Sequence, residues 1–275
     1  LIAIGTEDGH ICVYNIFDDC LQYDKILDRN DNRILCLEWF YPISGGSPLL
    51  VGGSIDFIKI WNYQSGRCTD FIKVGNTGVV VWCLKVLPDF TIVSGDSNGT
   101  TSFWNGNNST LYGAYKAHKA DVLAVCASPN GDNVYTAGGD PVVVQFVRKA
   151  GKYDTWVMSL NRTPHTHDVR SLVFTGSNWM LRGGVDSSLV QTHFGPQPLQ
   201  IDHLSNFSRK FTTVSTPNGH YVCIQYEKYM QIWKLGSPES DLPENDDVGG
   251  TNSVNVTPLK LADNAVKLLE INSRK

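Results

Sequence analysis

The sequence predicts an all-β chain assembled from one repeated hairpin. Three observations carry this. First, the stretch LLVGGSIDFIKIWN (49–62) holds a short apolar run, a Gly52-Gly53 turn signal with Asp56, and a second run in which Phe57, Lys59 and Trp61 alternate with Ile58 and Ile60. An apolar run this short, bounded by glycines, suits a buried strand, and a period of two suits its partner. Second, the unit recurs as LIAIGTEDGHICVYN (1–15), TIVSGDSNGTTSFWN (91–105), VYTAGGDPVVVQF (134–146), MLRGGVDSSLVQT (180–192) and YVCIQYEKYMQIW (221–233). Third, the end positions Tyr14, Trp61, Trp104, Phe146, Thr192 and Trp233 are spaced 41–47 residues apart. A lone hairpin is marginal in water, so each unit must stack on others like it.

A period of roughly 40–45 residues closing on an aromatic is the mark of WD-repeat β-propeller blades, each a four-stranded sheet. Residues 1–27 supply three strands, because the chain opens inside one. That predicts an excerpt of a longer protein and an incomplete ring with unpaired strand edges. The second unit runs from Arg33 through Lys73, as ILCLEWF inside, then LLVGG, FIKIWN and RCTDFIK outside, with FYPISGGSP (40–48) as its first turn. The third runs from Val79 to Lys116, with Pro88-Asp89 in the equivalent turn. The fourth begins at His118 and turns at Asn130-Gly131. The fifth begins at His165 and ends before GPQPLQ (195–200), which reads as a linker. The sixth runs from Arg209 through Leu235. After it, residues 236–258 hold too few aliphatics to offset their ordering entropy and read as a disordered loop, with AVKLLEIN (265–272) returning as the outer strand. The expected division is 1–204 as five blades of one propeller and 205–275 as a further blade opening a second.

The 275 residues carry a net charge of −4, which argues against a strongly basic nucleic-acid-binding surface overall. No apolar run reaches about 18 residues, so no membrane span is implied, and no charged-then-apolar leader is visible. Seven cysteines without a C-x-x-C pair speak against a zinc site and a disulfide framework. Cys36 in ILCLEW, Cys83 in VWCLKV, Ala124 in VLAVCA and Ser171 in VRSLVF fall at one place of the repeat, so a small residue is needed there, near the crowded axis. A reducing, intracellular compartment follows, in which the sequons at Asn98, Asn108, Asn161, Asn206 and Asn255 are idle.

The residues that suggest chemistry also suit structure. His165 and His167 of HTHD would share one face of a strand and, with Asp168, could hold a metal for a hydrolase. Spacing places no further ligand, and a His ahead of an inner strand suits a hydrogen bond to the turn Asp: His167 with Asp186, and His118 with Asp140 and Thr136. Asp56, Asp96, Asp140 and Asp186 recur once per unit, as turn residues do and catalytic residues do not. Trp61, Trp104 and Trp233 complete this structural set. There is no G-x-x-x-x-G-K-[ST], G-x-S-x-G or H-E-x-x-H motif, so no catalytic residue, metal, cofactor or small-molecule substrate is expected. Arg148, Lys149, Lys152 and Arg170 are the candidate contacts for RNA or a partner.

Several of these stretches resemble one WD-repeat family, the cirhin family. They are NRILCLEW (32–39) with VGGSIDFIKIWN (51–62), VVWCLKVLPDFTIVSGDSNGTTSFWN (80–105), THDVRSLVF (166–174) with GGVDSSLV (183–190), and QIWKLGS (231–237) followed by LKLADNAVKLLEI (259–271). Residues 106–120 and 148–164 fit that pattern poorly. The resemblance implies a nucleolar scaffold of tandem propellers, a subunit of the small-subunit processome. Such a subunit acts in pre-rRNA processing and ribosome biogenesis, with other processome subunits and the 5′ leader of pre-rRNA as partners, and no membrane. The fold alone would equally suit another adaptor, such as a ubiquitin-ligase substrate receptor or a trafficking module.

Overall fold

Runs rich in β-branched and aromatic residues, punctuated by Gly, Asp and Asn, become antiparallel strands. The computed structural model describes every residue except 19, 150–154, 163–166, 176–178, 186–187, 194–197, 204–209, 217–218, 226–228, 236–265 and 273–275. The first sheet has three strands, β1 (Ile2–Gly5), β2 (Ile11–Phe17) and β3 (Cys20–Leu27). Each later sheet has four, in chain order. The second holds β4 (Cys36–Phe40), β5 (Leu49–Gly53), β6 (Phe57–Asn62) and β7 (Cys68–Lys73). The third holds β8 (Val81–Val86), β9 (Thr91–Asp96), β10 (Thr100–Asn105) and β11 (Thr110–Lys116). The fourth holds β12 (Val122–Ala127), β13 (Asn133–Gly138), β14 (Val143–Lys149) and β15 (Thr155–Arg162). The fifth holds β16 (Val169–Thr175), β17 (Trp179–Gly184), β18 (Ser188–His193) and β19 (Pro198–His203). The sixth holds β20 (Lys210–Thr216), β21 (Gly219–Gln225), β22 (Tyr229–Leu235) and β23 (Val266–Asn272). The contacts group these into two compact units, Leu1–Leu172 and Val173–Lys275.

Within the first unit, both faces of the second and third sheets are buried, which is why their strands read as continuous apolar runs rather than as alternation. Leu50 joins Trp61, Ile11, Val13 and Leu27 in the layer between the first two sheets. Its neighbour Val51 joins Ile58, Ile60, Val81, Leu84 and Ile92 between the second and third. Val93 turns the other way, to Phe103, Val134, Phe146 and Trp156 between the third and fourth. There Phe103 stacks on Trp156 with ring centroids 4.4 Å apart.

The aromatic that closes each unit has a backbone role as well. The register between the last two strands of a sheet slips at Val13/Tyr14, Ile60/Trp61, Phe103/Trp104, Gln145/Phe146 and Ile232/Trp233. Each slip is a β-bulge beside the closing aromatic, which bends the last strand and adds twist. In the fifth sheet the slip falls earlier, at Ser188/Leu189, and Thr192 pairs regularly with Pro198.

Two sequence readings change. Gly52 and Gly53 are not the turn: they end β5, paired with Leu37 and Cys36. The left-handed residue of that turn is Asp56, with φ of 68°, a conformation its short polar side chain tolerates. Residues 195–200 do not form a linker throughout, because Pro198 opens β19, an edge position where a missing N–H costs nothing. The loop expected over 236–258 lies outside the described residues.

The glycine at the end of the second strand answers to close approach. A Cβ on Gly53 would lie 2.6 Å from Cys36 Sγ and 2.7 Å from Val81 Cγ1; one on Gly95 would lie 2.6 Å from Cys83 Sγ and 2.5 Å from Val122 Cγ1. Cys36 and Cys83 in turn donate to the next sheet's first strand, at Val81 O (3.7 Å) and Val122 O (3.4 Å). The small residue noticed in the sequence is therefore confined by its own glycine and by the neighbouring sheet. In the fourth sheet Ala137 stands in the glycine's place, and its partner is Ala124 rather than cysteine. Gly95→Ala should cost about 1–3 kcal/mol as an overpacking change, with part of the loss recovered by Cys83→Ala. Urea denaturation of the single and double variants checks this; a Gly95→Ala chain as stable as its parent would contradict the packing described.

Candidate functional site

The polar residues singled out by the sequence gather at the turns between second and third strands. His118 precedes β12 and is 2% exposed. Its Nδ1 lies 2.8 Å from Asp140 Oδ1 and its Nε2 lies 2.9 Å from Thr136 Oγ1. Asp140 Oδ2 also accepts the Lys119 N–H at 3.0 Å. A buried imidazole held at both nitrogens leaves no ring atom for a ligand or a proton transfer. Asp56 accepts the backbone N–H groups of Gly78 and Val79, tying its turn to the segment that leads into β8.

Asp96 sits elsewhere than the sequence places it. It ends β9, paired with Val81, whereas Asp56 and Asp140 lie beyond their strands in the turns. Its Oδ1 accepts the N–H groups of Asn98 and Thr100 at 2.8 and 3.0 Å. Burial nonetheless raises its pKa above the ordinary carboxylate value. Trp61 donates to Asp28 O, and Trp104 to Ser94 Oγ, each at 2.9 Å.

One member of this set escapes the sequence reading. Asn30, 3% exposed, donates to Ser54 Oγ at 2.8 Å and to Asn32 O, and Ser54 Oγ donates to Arg33 O. Asn30 lies six residues before Cys36, as His118 lies six before Ala124, so that spacing was the available signal. The same spacing before Ser171 falls on His165, and the expected pairing of His167 with Asp186 lies outside the described residues. His167 is exposed; His165, Asp186 and Lys152 lie outside the described residues, as does the side chain of Trp233. Among the described residues, no three His, Cys, Asp or Glu side chains are grouped to hold a metal.

The basic residues divide. Lys149 and Arg170 are exposed. Arg148 is committed within the molecule: it pairs with Asp89 and Thr91 Oγ1 and lies over the Trp156 ring, 5.1 Å from its centroid. At Asp89, burial pushes the pKa up, but the Thr91 N–H and the Arg148 guanidinium outweigh it and hold the carboxyl below its usual value. A depressed folded pKa gives stability that is present above the unfolded value and lost as pH falls through the folded one. The half-exposed site limits this to about 1 kcal/mol or less. Asp96, shifted the other way, offsets part of the loss, because protonation favours the fold there. Asp89→Asn should therefore lower the urea midpoint at pH 7 and differ little from the parent at pH 3. An equal gap at both pH values would rule the pair out as the source.

The family described as WD domain, G-beta repeat matches residues 109–145. The chain is 30% identical over 253 residues to U3 small nucleolar RNA-associated protein 4 of Schizosaccharomyces pombe, a match covering 86% of this chain and 34% of that protein. It is 30% identical over 270 residues to the Saccharomyces cerevisiae protein of the same name, with 87% and 33% covered. The Homo sapiens homolog is 27% identical over 256 residues, with 86% and 36% covered. The chain thus spans about a third of the length of these relatives. A chain in the crystal structure of a mitotic checkpoint complex superposes with a TM-score of 0.71 at 15% identity, covering all of this chain and 74% of that one, which concerns the fold alone. With its antiparallel four-stranded sheets, recurrent bulges and glycine-lined sheet interfaces, the chain has the all-β fold of WD-repeat β-propeller blades.

Proposed function

We propose that the chain is part of a non-catalytic scaffold of the small-subunit processome, acting in the nucleolus in pre-rRNA processing and small ribosomal subunit biogenesis. The observation that carries this is the likeness to U3 small nucleolar RNA-associated protein 4, which runs in order through 86% of the chain or more in three organisms. The geometry agrees. The histidine and aspartates that first suggest chemistry, His118, Asp56, Asp96 and Asp140, are spent on holding turns, so function falls to the surfaces that the blades present. In this reading residues 1–204 belong to one propeller and 205–275 open another. The partners are other processome subunits and the pre-rRNA 5′ leader, with Lys149, which is exposed, as a contact for phosphates.

Depletion of the full-length protein should lower small-subunit rRNA relative to large-subunit rRNA and let unprocessed precursor accumulate, and the tagged protein should stain nucleoli. Unchanged precursor levels together with staining elsewhere would contradict the proposal and favour an adaptor of another complex.

A further inference from the structure

We infer that the first turns of the second, third and fourth sheets form a docking site for an extended, uncharged segment of a partner protein, which inserts one aromatic or branched aliphatic side chain. The ends of β4, β8 and β12 and the turns after them line an open cleft of about 320 Å³. That is within the range of small ligand sites, about 300–1,000 Å³. Its walls are Trp39, Tyr41, Ile43, Pro88 and Pro129, with Lys85 beside them. Ile43 is 87% exposed and Tyr41 56% exposed, and both prolines are exposed. Such a concentration of large apolar side chains at one set of turns departs from the ordinary scatter of single exposed hydrophobics.

The site is rigid rather than a chance of loop placement. Phe40, which precedes Tyr41, stacks on Phe90 at 4.2 Å and 12°, fixing the second sheet's turn to the third. Trp39 holds Tyr41 at 6.2 Å and Tyr63 at 6.0 Å, so the aromatic wall is fixed from behind. A preorganised apolar pocket avoids much of the ordering cost of binding.

Charge decides the class of partner. Nucleic acid would need uncompensated cations beside the aromatic wall. The cation at this cavity, Lys85, is paired with Glu38, and next to Pro88 the Arg148 guanidinium is paired with Asp89. The cavity therefore presents apolar surface with balanced charge. A Pro-rich or aromatic peptide segment matches that chemistry. This inference rests on the cavity alone and not on the assembly proposed above, so either can fail without the other.

The test is a selection of displayed random dodecapeptides on the full chain, with counter-selection on Ile43→Asp. Ile43 is almost wholly exposed, so the variant should unfold at the parent's temperature. Selected peptides should be uncharged, rich in aromatic, aliphatic and Pro residues, and at least about tenfold weaker on the variant. Their binding should move the ¹⁹F resonance of 5-fluorotryptophan at Trp39 and be insensitive to salt. Failure to recover any Ile43-dependent peptide would overturn the inference. So would a mixed-sequence oligoribonucleotide that moves the Trp39 resonance with a salt-dependent affinity.

Discussion

Replacing Trp61 with alanine should remove about 3–5 kcal/mol of stability, the cost of deleting a large buried aromatic. Trp61 is 1% exposed and lies among Ile11, Val13, Leu27 and Leu50, between the first two sheets. Its indole rests on Gly52, where a Cβ would come within 2.9 Å of Cζ3. The glycine has no side chain with which to fill the vacated space, so the cavity cannot collapse from that side. The change also deprives Asp28 O of the indole N–H that reaches it at 2.9 Å. Trp61→Phe keeps a ring in the layer and loses the hydrogen bond, so its cost should be nearer 1–2 kcal/mol, roughly the value of that bond plus a small void. Because repeat blades can part from one another before the whole chain unfolds, hydrogen exchange is the suitable measurement. Amides of β2, β5 and β6 should lose protection in Trp61→Ala before those of β9 and β10. A uniform loss through all sheets would mean that Trp61 is not the local seam described.

His118→Leu should cost about 2–4 kcal/mol, for a different reason. The leucine fits the space, but Thr136, which is wholly buried, loses its imidazole partner, and Asp140 is left with the Lys119 N–H alone. Leaving buried polar groups unsatisfied is more expensive than the hydrogen bonds are worth when made. The second sheet already shows another solution, in which Asn30 reaches Ser54 from the corresponding place. His118→Asn should therefore lose less than His118→Leu, since an amide can still donate to Thr136. Urea midpoints of the two variants decide this. Equal losses would mean that the packing volume of the imidazole matters and its hydrogen bonds do not.

Much of this architecture could be read from residue pattern, and the failures have physical causes. Strand positions were legible because Leu50/Val51 and Ile92/Val93 face opposite neighbours, which makes their runs apolar throughout. The closing aromatic was legible as a recurring letter, but its bulge was not, because a slipped register depends on the partner strand and leaves no local trace. Gly52-Gly53 was read as a turn, since glycine most often signals positive φ. Here it answers to the Trp61 indole, Cys36 and Val81, and the positive φ falls on Asp56. β19 was hidden by the proline that opens it, a residue as compatible with an edge strand as with a linker. At the candidate site, the partnership of His118 with Asp140 and Thr136 follows from their places on and beside the adjoining strands β12 and β13. Asn30 was overlooked because it shares a position with His118 and not a residue type.

The measurement that bears most directly on the account is purification of the tagged full-length protein with protein–protein crosslinking and sequencing of the bound RNA. If these blades work by presenting surface within a processome, small-subunit assembly proteins, U3 RNA and pre-rRNA should be recovered together, with crosslinks on blade turns and edges. Recovery of ubiquitin-ligase or coat subunits with neither U3 RNA nor pre-rRNA would contradict it.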